Sequence, residues 1–194
     1  MTLVGSSSTL TPGEQVPSFE LPGVDDRTHS PDTYSDAKAV LIVFTCNHCP
    51  YAEAKLDALN TLATSVEGLT VVGINPNDAE AYPEDSFERM RERVDTGEVR
   101  FDAYLRDATQ ETARAFDAVC TPDPFLFQVT QDGLKLAFHS RIDDAVSPDA
   151  TPERFEMREA AEAVIAGEPI PVDATPSRGG SIKWIDLRGT RPEA

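Results

Sequence analysis

The sequence predicts an α/β fold on a mixed β-sheet, and three observations carry the prediction. Two apolar, β-branched runs at residues 39–44 and 69–75 flank a segment with Leu56, Leu59 and Leu62 at helical spacing. Strands flanking a helix of that length form a parallel crossover. Two later runs at 125–129 and 134–138 are separated by Thr130-Gln131-Asp132-Gly133, a polar turn with a glycine, and so read as an antiparallel hairpin. Between the first strand and its helix lies Thr45-Cys46-Asn47-His48-Cys49-Pro50, a pair of cysteines where a strand hands over to a helix.

The other elements follow in order along the chain. Residues 1–13 read as a polar N-terminal tail, and Phe19-Glu20-Leu21-Pro22 opens the ordered part as a short strand. Pro83, Glu84 and Asp85 start a helix with Phe87, Met90 and Val94 on one face, and Thr109 caps a shorter helix through Phe116. Thr151-Pro152-Glu153 combines a cap, a first-turn proline and an acid, so a helix carrying Phe155, Val164 and Ile165 starts there and stops near Gly167 and Pro169. Residues 14–170 thus form the folded domain, and 171–194 an extended C-terminal tail in which Ile182-Lys183-Trp184-Ile185 docks on the body. No internal repeat is visible.

At 194 residues the chain can bury a full core in one domain. Its 34 acidic residues outnumber 17 basic ones, for a formal charge of −17, so nucleic acid and anionic membrane surfaces are excluded as partners. An acidic excess with only four lysines also resembles proteins of a high-salt cytoplasm, where ions screen self-repulsion. The first eight residues carry no base and no long apolar run, so neither a signal peptide nor a membrane span is expected, and the cytoplasm is the expected compartment. In that setting three cysteines make a poor disulfide framework, and a close pair points to redox use.

A thiol at a helix N-terminus faces unpaired N–H groups and the positive end of the helix dipole, which favour thiolate, its reactive form. The expectation is therefore an exposed, nucleophilic Cys46 and a more buried, resolving Cys49, exchanging disulfides through a mixed disulfide. Two inert core cysteines are the bland alternative, and a four-thiolate zinc site lacks its second pair. His48, if protonated, stabilises the Cys46 thiolate; otherwise it is an exposed polar residue. His29 and His139 have no motif around them and read as ordinary surface or strand residues.

Three segments together carry a family likeness: Cys46-Asn47-His48-Cys49-Pro50-Tyr51, Tyr104-Leu105-Arg106-Asp107-Ala108-Thr109-Gln110, and Cys120-Thr121-Pro122-Asp123-Pro124-Phe125-Leu126-Phe127. In this order, over residues 14–170, the chain resembles the thioredoxin-like superfamily and more closely its redoxin branch, the peroxiredoxin-related AhpC/TSA-like proteins. The resemblance implies a three-layer α/β/α sandwich with an inserted strand and helix, and a cis Thr121-Pro122 bond facing the dithiol. It also implies a partner site shaped by Thr121, Pro122, Asn47 and Pro50. Cys120 then lies near the dithiol, as a spare resolving thiol or as a small buried apolar residue.

The chain departs from the pattern in three places. Val40 stands where classical thioredoxins place a buried acid, so proton handling differs. The peroxiredoxin Pro-x-x-x-Thr-x-x-Cys motif fails in either register. Gly180 replaces the cysteine of a Gly-Cys-Ser-Ile-Lys-Trp-like ending, so the tail holds no third redox centre. The reading is a cytoplasmic thiol-disulfide oxidoreductase with no cofactor and no resident metal. Its expected substrates are protein or small-molecule disulfides or peroxide, with a thiol donor such as a thioredoxin system. Rival readings are a thiol peroxidase working through a sulfenic acid, and a Sco-like copper or zinc carrier using Cys46, Cys49 and a histidine.

Overall fold

The computed structural model describes residues 2–185. Its strands are β1 (Leu3–Gly5), β2 (Leu21–Pro22), β3 (Thr28–His29), β4 (Ala39–Phe44), β5 (Leu69–Asn75), β6 (Ala103–Arg106), β7 (Cys120–Thr121), β8 (Asp123–Thr130), β9 (Gly133–His139) and β10 (Arg178–Ser181). The α-helices are α1 (Pro50–Glu53), α2 (Leu56–Ser65), α3 (Phe87–Asp95), α4 (Glu111–Ala115) and α5 (Glu156–Ala166).

The main sheet has the order β6-β5-β4-β8-β9. β4, β5 and β6 run parallel, while β8 is antiparallel to both β4 and β9. Every residue of β4 is buried, as a central strand covered on both faces requires. Its side chains alternate between two cores. Val40, Ile42 and Phe44 pack with Phe116, Phe125 and Phe127 and with Val16 and Phe19 of the N-terminal segment. Ala39, Leu41 and Val43 pack with Leu59 and Leu62 of α2 and with Met157, Ala160 and Ala161 of α5. Helices α2 and α5 therefore form one outer layer and the α4 region the other, which gives the expected three layers. Each large apolar side chain taken out of water contributes about 1.5–3 kcal/mol.

Both chain ends differ from expectation. Residues 3–5, read as polar tail, form β1, and residues 178–181, read as extended tail, form β10. The two pair with each other and with β7 in a second sheet, β1-β10-β7. Leu3 stays exposed, so backbone hydrogen bonding rather than apolar burial holds β1, and composition does not report that. Ile182 is buried in the core beside Phe116, so the expected docking of 182–185 is present. Residues 186–194 of the expected tail lie outside the described residues.

Three helix starts move. α3 begins at Phe87, after a short 3₁₀ turn at Pro83–Asp85, because the Ser86 side chain accepts the Arg89 N–H. α4 begins at Glu111 with Gln110, not Thr109, in the cap position. α5 begins at Glu156 rather than near Thr151. The Asp144 carboxylate takes the N–H groups of Glu153 and Arg154 at 2.8 and 3.1 Å, so 151–155 stay a loop. Its end is as expected, with Gly167 at φ 70°.

Candidate active site

At the end of β4 the chain holds to the sheet once more, through the Thr45 N–H to the Ile74 carbonyl at 2.9 Å, and then bends away through Asn47 and His48. The helix starts four residues later than Cys46. Cys49 is the N-cap of α1 and Pro50 its first residue. Proline suits that place because its missing N–H would have no partner there. The helix terminus expected to activate Cys46 thus faces Cys49. Nor is Cys46 exposed as expected, since both residues are buried, at 3% and 2% exposure.

Across from the pair runs β7, and the Thr121–Pro122 bond is cis, as the resemblance implies. Thr121 Oγ1 lies 3.2 Å from Cys46 Sγ, and the Thr121 carbonyl oxygen 3.6 Å from Cys49 Sγ. No disulfide joins the two sulfurs. The hydrogen bond from Cys46 lowers the Cys49 pKa to about 5, helped against burial by backbone N–H groups of Ala52, Gly180 and Tyr51. Cys46 moves the other way. Its bond to Cys49, its burial and the charge of Asp85 raise it, and only Thr121 opposes them. The surroundings of the reduced pair therefore favour the proton on Cys46 and the charge on Cys49.

Asp85 is the site residue that sequence reading passed over as a helix opener. It is fully buried, and its carboxylate accepts the Asn47 N–H at 2.6 Å and the side-chain amides of Asn75 at 3.1 Å and Asn77 at 2.8 Å. Its Oδ2 also pairs with His48 Nδ1 at 2.5 Å. The readable signal was the pair of asparagines at the end of a buried strand, Asn75 and Asn77, which need a polar partner inside. Asp85 supplies the buried acid that Val40 does not.

His48 stacks on Tyr82, with ring centroids 5.0 Å apart, and its Nε2 is buried without a hydrogen-bond partner. Because its Nδ1 faces Asp85, any positive charge on the ring is matched by that carboxylate. The expected lowering of the Cys46 pKa by His48 does not result.

Asn47, expected at the partner surface, is instead a junction. Its side chain donates to the Glu84 carbonyl at 2.8 Å and accepts from Tyr104 at 2.8 Å and Arg93 at 3.2 Å. Pro50 is exposed at the helix start, whereas Pro122 is buried. Cys120 is fully buried, with Sγ 3.9 Å from the Pro122 carbonyl oxygen. Burial, then the charges of Asp123 and Cys49, push its thiol up and keep it protonated.

The segment 104–110 acts as scaffold. Arg106 donates to the carbonyls of Asn75 and Asn77 at 2.8 and 2.5 Å, which holds the turn that presents both asparagines to Asp85. Gln110 bonds the carbonyls of Pro76 and Lys183 at 2.7 and 2.8 Å, tying that turn to the C-terminal segment. A second buried acid follows the cis bond. Asp123 accepts from Ser6 at 2.9 Å and pairs with His139 Nε2 at 2.8 Å, so His139 is no plain strand residue. Burial raises the Asp123 carboxyl despite that pairing. His29 is likewise held, by Asp25 and Tyr34, the latter at 2.9 Å.

Among the described residues, Cys46, His48 and Asp85 offer ligand atoms within 4.8 Å of one another. The carrier reading named Cys49 as a ligand, but Asp85 stands in that place. No helix of the described residues is long and apolar enough to cross a membrane.

Comparison with known proteins agrees with this architecture. The model of the AhpC/TSA family matches residues 12–135. An uncharacterized conserved protein from Geobacillus kaustophilus is 36% identical, with a TM-score of 0.82 over 100% of this chain and 99% of its own. A hypothetical protein from Sinorhizobium meliloti 1021 is 34% identical, with a TM-score of 0.81 over 94% and 98%. A secreted Mycobacterium tuberculosis disulfide oxidoreductase homologous to E. coli DsbE is 15% identical over 77% and 95%, and its TM-score of 0.51 speaks to the fold alone. No protein with a curated description matches. With a family match running from the N-terminal segment into β9, on a fold shared with a disulfide oxidoreductase, the chain is a thioredoxin-like redoxin and belongs to the AhpC/TSA family.

Proposed function

We propose that the protein is a thiol-disulfide oxidoreductase in which Cys49 attacks and Cys46 resolves, the reverse of the order expected from sequence. The observation that carries this is the position of Cys49 at the N-cap of α1, where the Cys46 thiol and nearby backbone N–H groups favour its thiolate. The Cys49 thiolate attacks one sulfur of a substrate disulfide. The old S–S bond breaks, its outer sulfur leaves as thiolate and takes a proton from water, and a mixed disulfide joins Cys49 to the substrate. Cys46 must then lose its proton, and the His48–Asp85 pair within 4.8 Å is placed to take it. The Cys46 thiolate attacks Cys49 Sγ and expels the second substrate thiolate. Two electrons pass to the substrate, and Cys46 and Cys49 end as a disulfide.

Thiol peroxidase chemistry is the second reading, favoured by the burial of both sulfurs, which suits a small oxidant. There the Cys49 thiolate takes one peroxide oxygen as sulfenic acid while the O–O bond breaks and hydroxide leaves, and the Cys46 thiol then condenses with it, releasing water. We place the protein in a reducing compartment, the cytoplasm, because three cysteines with one close pair suit redox use better than a structural disulfide framework.

The test is the rate at which reduced protein in concentrated KCl is oxidised by disulfides and by hydrogen peroxide, followed by alkylation and mass measurement. Faster reaction with a disulfide, with Cys120 still alkylated, is expected. Far faster reaction with peroxide makes the protein a peroxidase.

A further inference from the structure

We infer that the C-terminal strand β10 is the specificity element of this dithiol, closing it to protein disulfides and leaving it to small-molecule disulfides. The inference rests on the exchange reading above. A disulfide within a protein brings its own backbone to the attacking sulfur, and that backbone needs space, with an open strand edge beside the dithiol to settle on. Here the space is filled from within. Gly180 pairs with Thr121, the residue facing both sulfurs, and its backbone N–H lies near enough to Cys49 to favour its thiolate. On its other side β10 pairs with β1, so its outer edge is taken too.

The fit depends on absent side chains. A Cβ on Gly179 would lie 2.1 Å from the Thr121 carbonyl oxygen, which is backbone and has no room to give. The strand is also pinned at both ends. Ser177 donates to the Pro122 carbonyl at 2.7 Å, and Ile182 N–H to the Val119 carbonyl at 3.0 Å. Beyond it, Lys183 N–H reaches Asn77 Oδ1 at 2.8 Å and Ile185 N–H reaches Gln110 Oε1 at 2.9 Å. A groove lined by Pro122, Ser177, Arg178 and Tyr51, the last of which packs against the two cysteines, lies open alongside the strand.

The experiment compares hydroxyethyl disulfide with insulin as oxidants of the reduced full-length protein, each rate divided by that of free dithiothreitol with the same disulfide. The normalised rate should favour the small disulfide by at least about tenfold, and Gly179→Ala, which cannot seat β10, should shift the ratio toward insulin by a similar factor. The ratio is read because unseating β10 also removes a hydrogen bond from Cys49 and slows both reactions. A ratio near one in the natural protein, or one unchanged by G179A, overturns the inference while leaving disulfide exchange intact. Failure of both disulfides beside rapid peroxide turnover overturns the exchange reading instead. If G179A does not fold, Cys46→Ser protein joined at Cys49 to mercaptoethanol or to a cysteine peptide gives a second measurement. Amide exchange at 178–182 should be slow in the first adduct and fast in the second, and equal protection in both overturns the inference.

Discussion

His48 Nδ1 and Asp85 Oδ2 lie 2.5 Å apart, and through this pair the electrostatics around Cys46 come from a segment almost forty residues away from the dithiol. Asp85 enters from the turn before α3, fully buried, and four donors hold it. Its charge raises the Cys46 pKa while α1 and Gly180 support the Cys49 thiolate, so two cysteines three residues apart sit in opposite fields.

The titration of the reduced protein should show this split. Thiolate ultraviolet absorbance should rise with a midpoint of about 5 and lose that step in Cys49→Ser, while Cys46 titrates well above its ordinary value. Since folding depresses the Cys49 pKa from 9.0 to about 5, its stabilising contribution is full above the unfolded value and lost as pH falls through the folded one. Denaturant unfolding of reduced protein, compared with C49S, should show a stability gap that widens as pH rises from about 5 to about 9. A gap that is flat with pH would refute the assignment.

Mixed disulfides should accumulate on the variant that keeps the attacking sulfur and lacks the resolving one. Cys46→Ser is expected to trap substrate on Cys49 in a yield at least about tenfold above Cys49→Ser, scored by mass after alkylation. The opposite yield would restore the order expected from sequence.

Asp85→Asn removes the charge but keeps the shape. Its amide nitrogen then faces donors, so a loss of about 1–3 kcal/mol in unfolding free energy is expected. The Cys46 pKa should fall, because the charge that raises it is gone. Resolution of the mixed disulfide should nonetheless slow by about tenfold at neutral pH for want of the proton acceptor. A stability loss with no change in the resolution rate would leave Asp85 purely structural.

In the core, Phe116 meets Phe44, Phe125 and Phe127 edge-on at centroid distances of 5.1, 5.3 and 6.1 Å and is fully buried. Phe116→Ala should cost about 3–5 kcal/mol in chemical denaturation, and a loss below about 1 kcal/mol would mean that the three partners collapse into the space.

Much of this was legible in local pattern. Residues 39–44 and 69–75 read as strands because a run of β-branched residues buried on both faces has few other places to go. The hairpin was visible in its Gly133 turn, and the dithiol in its spacing. Resemblance, rather than pattern, supplied the cis bond at Pro122. Asp85, the placement of Gly180 on Cys49 and the pairing of β1 with β10 were not legible, since each joins residues distant in sequence through backbone or buried polar contacts that leave no periodic trace. The sequence by itself thus determined the strand–helix frame and the two thiols at its functional end. Tertiary structure alone decided the surroundings each thiol meets, because a pKa depends on the fields of groups brought from Asp85, Thr121 and Gly180, and only folding sets those distances.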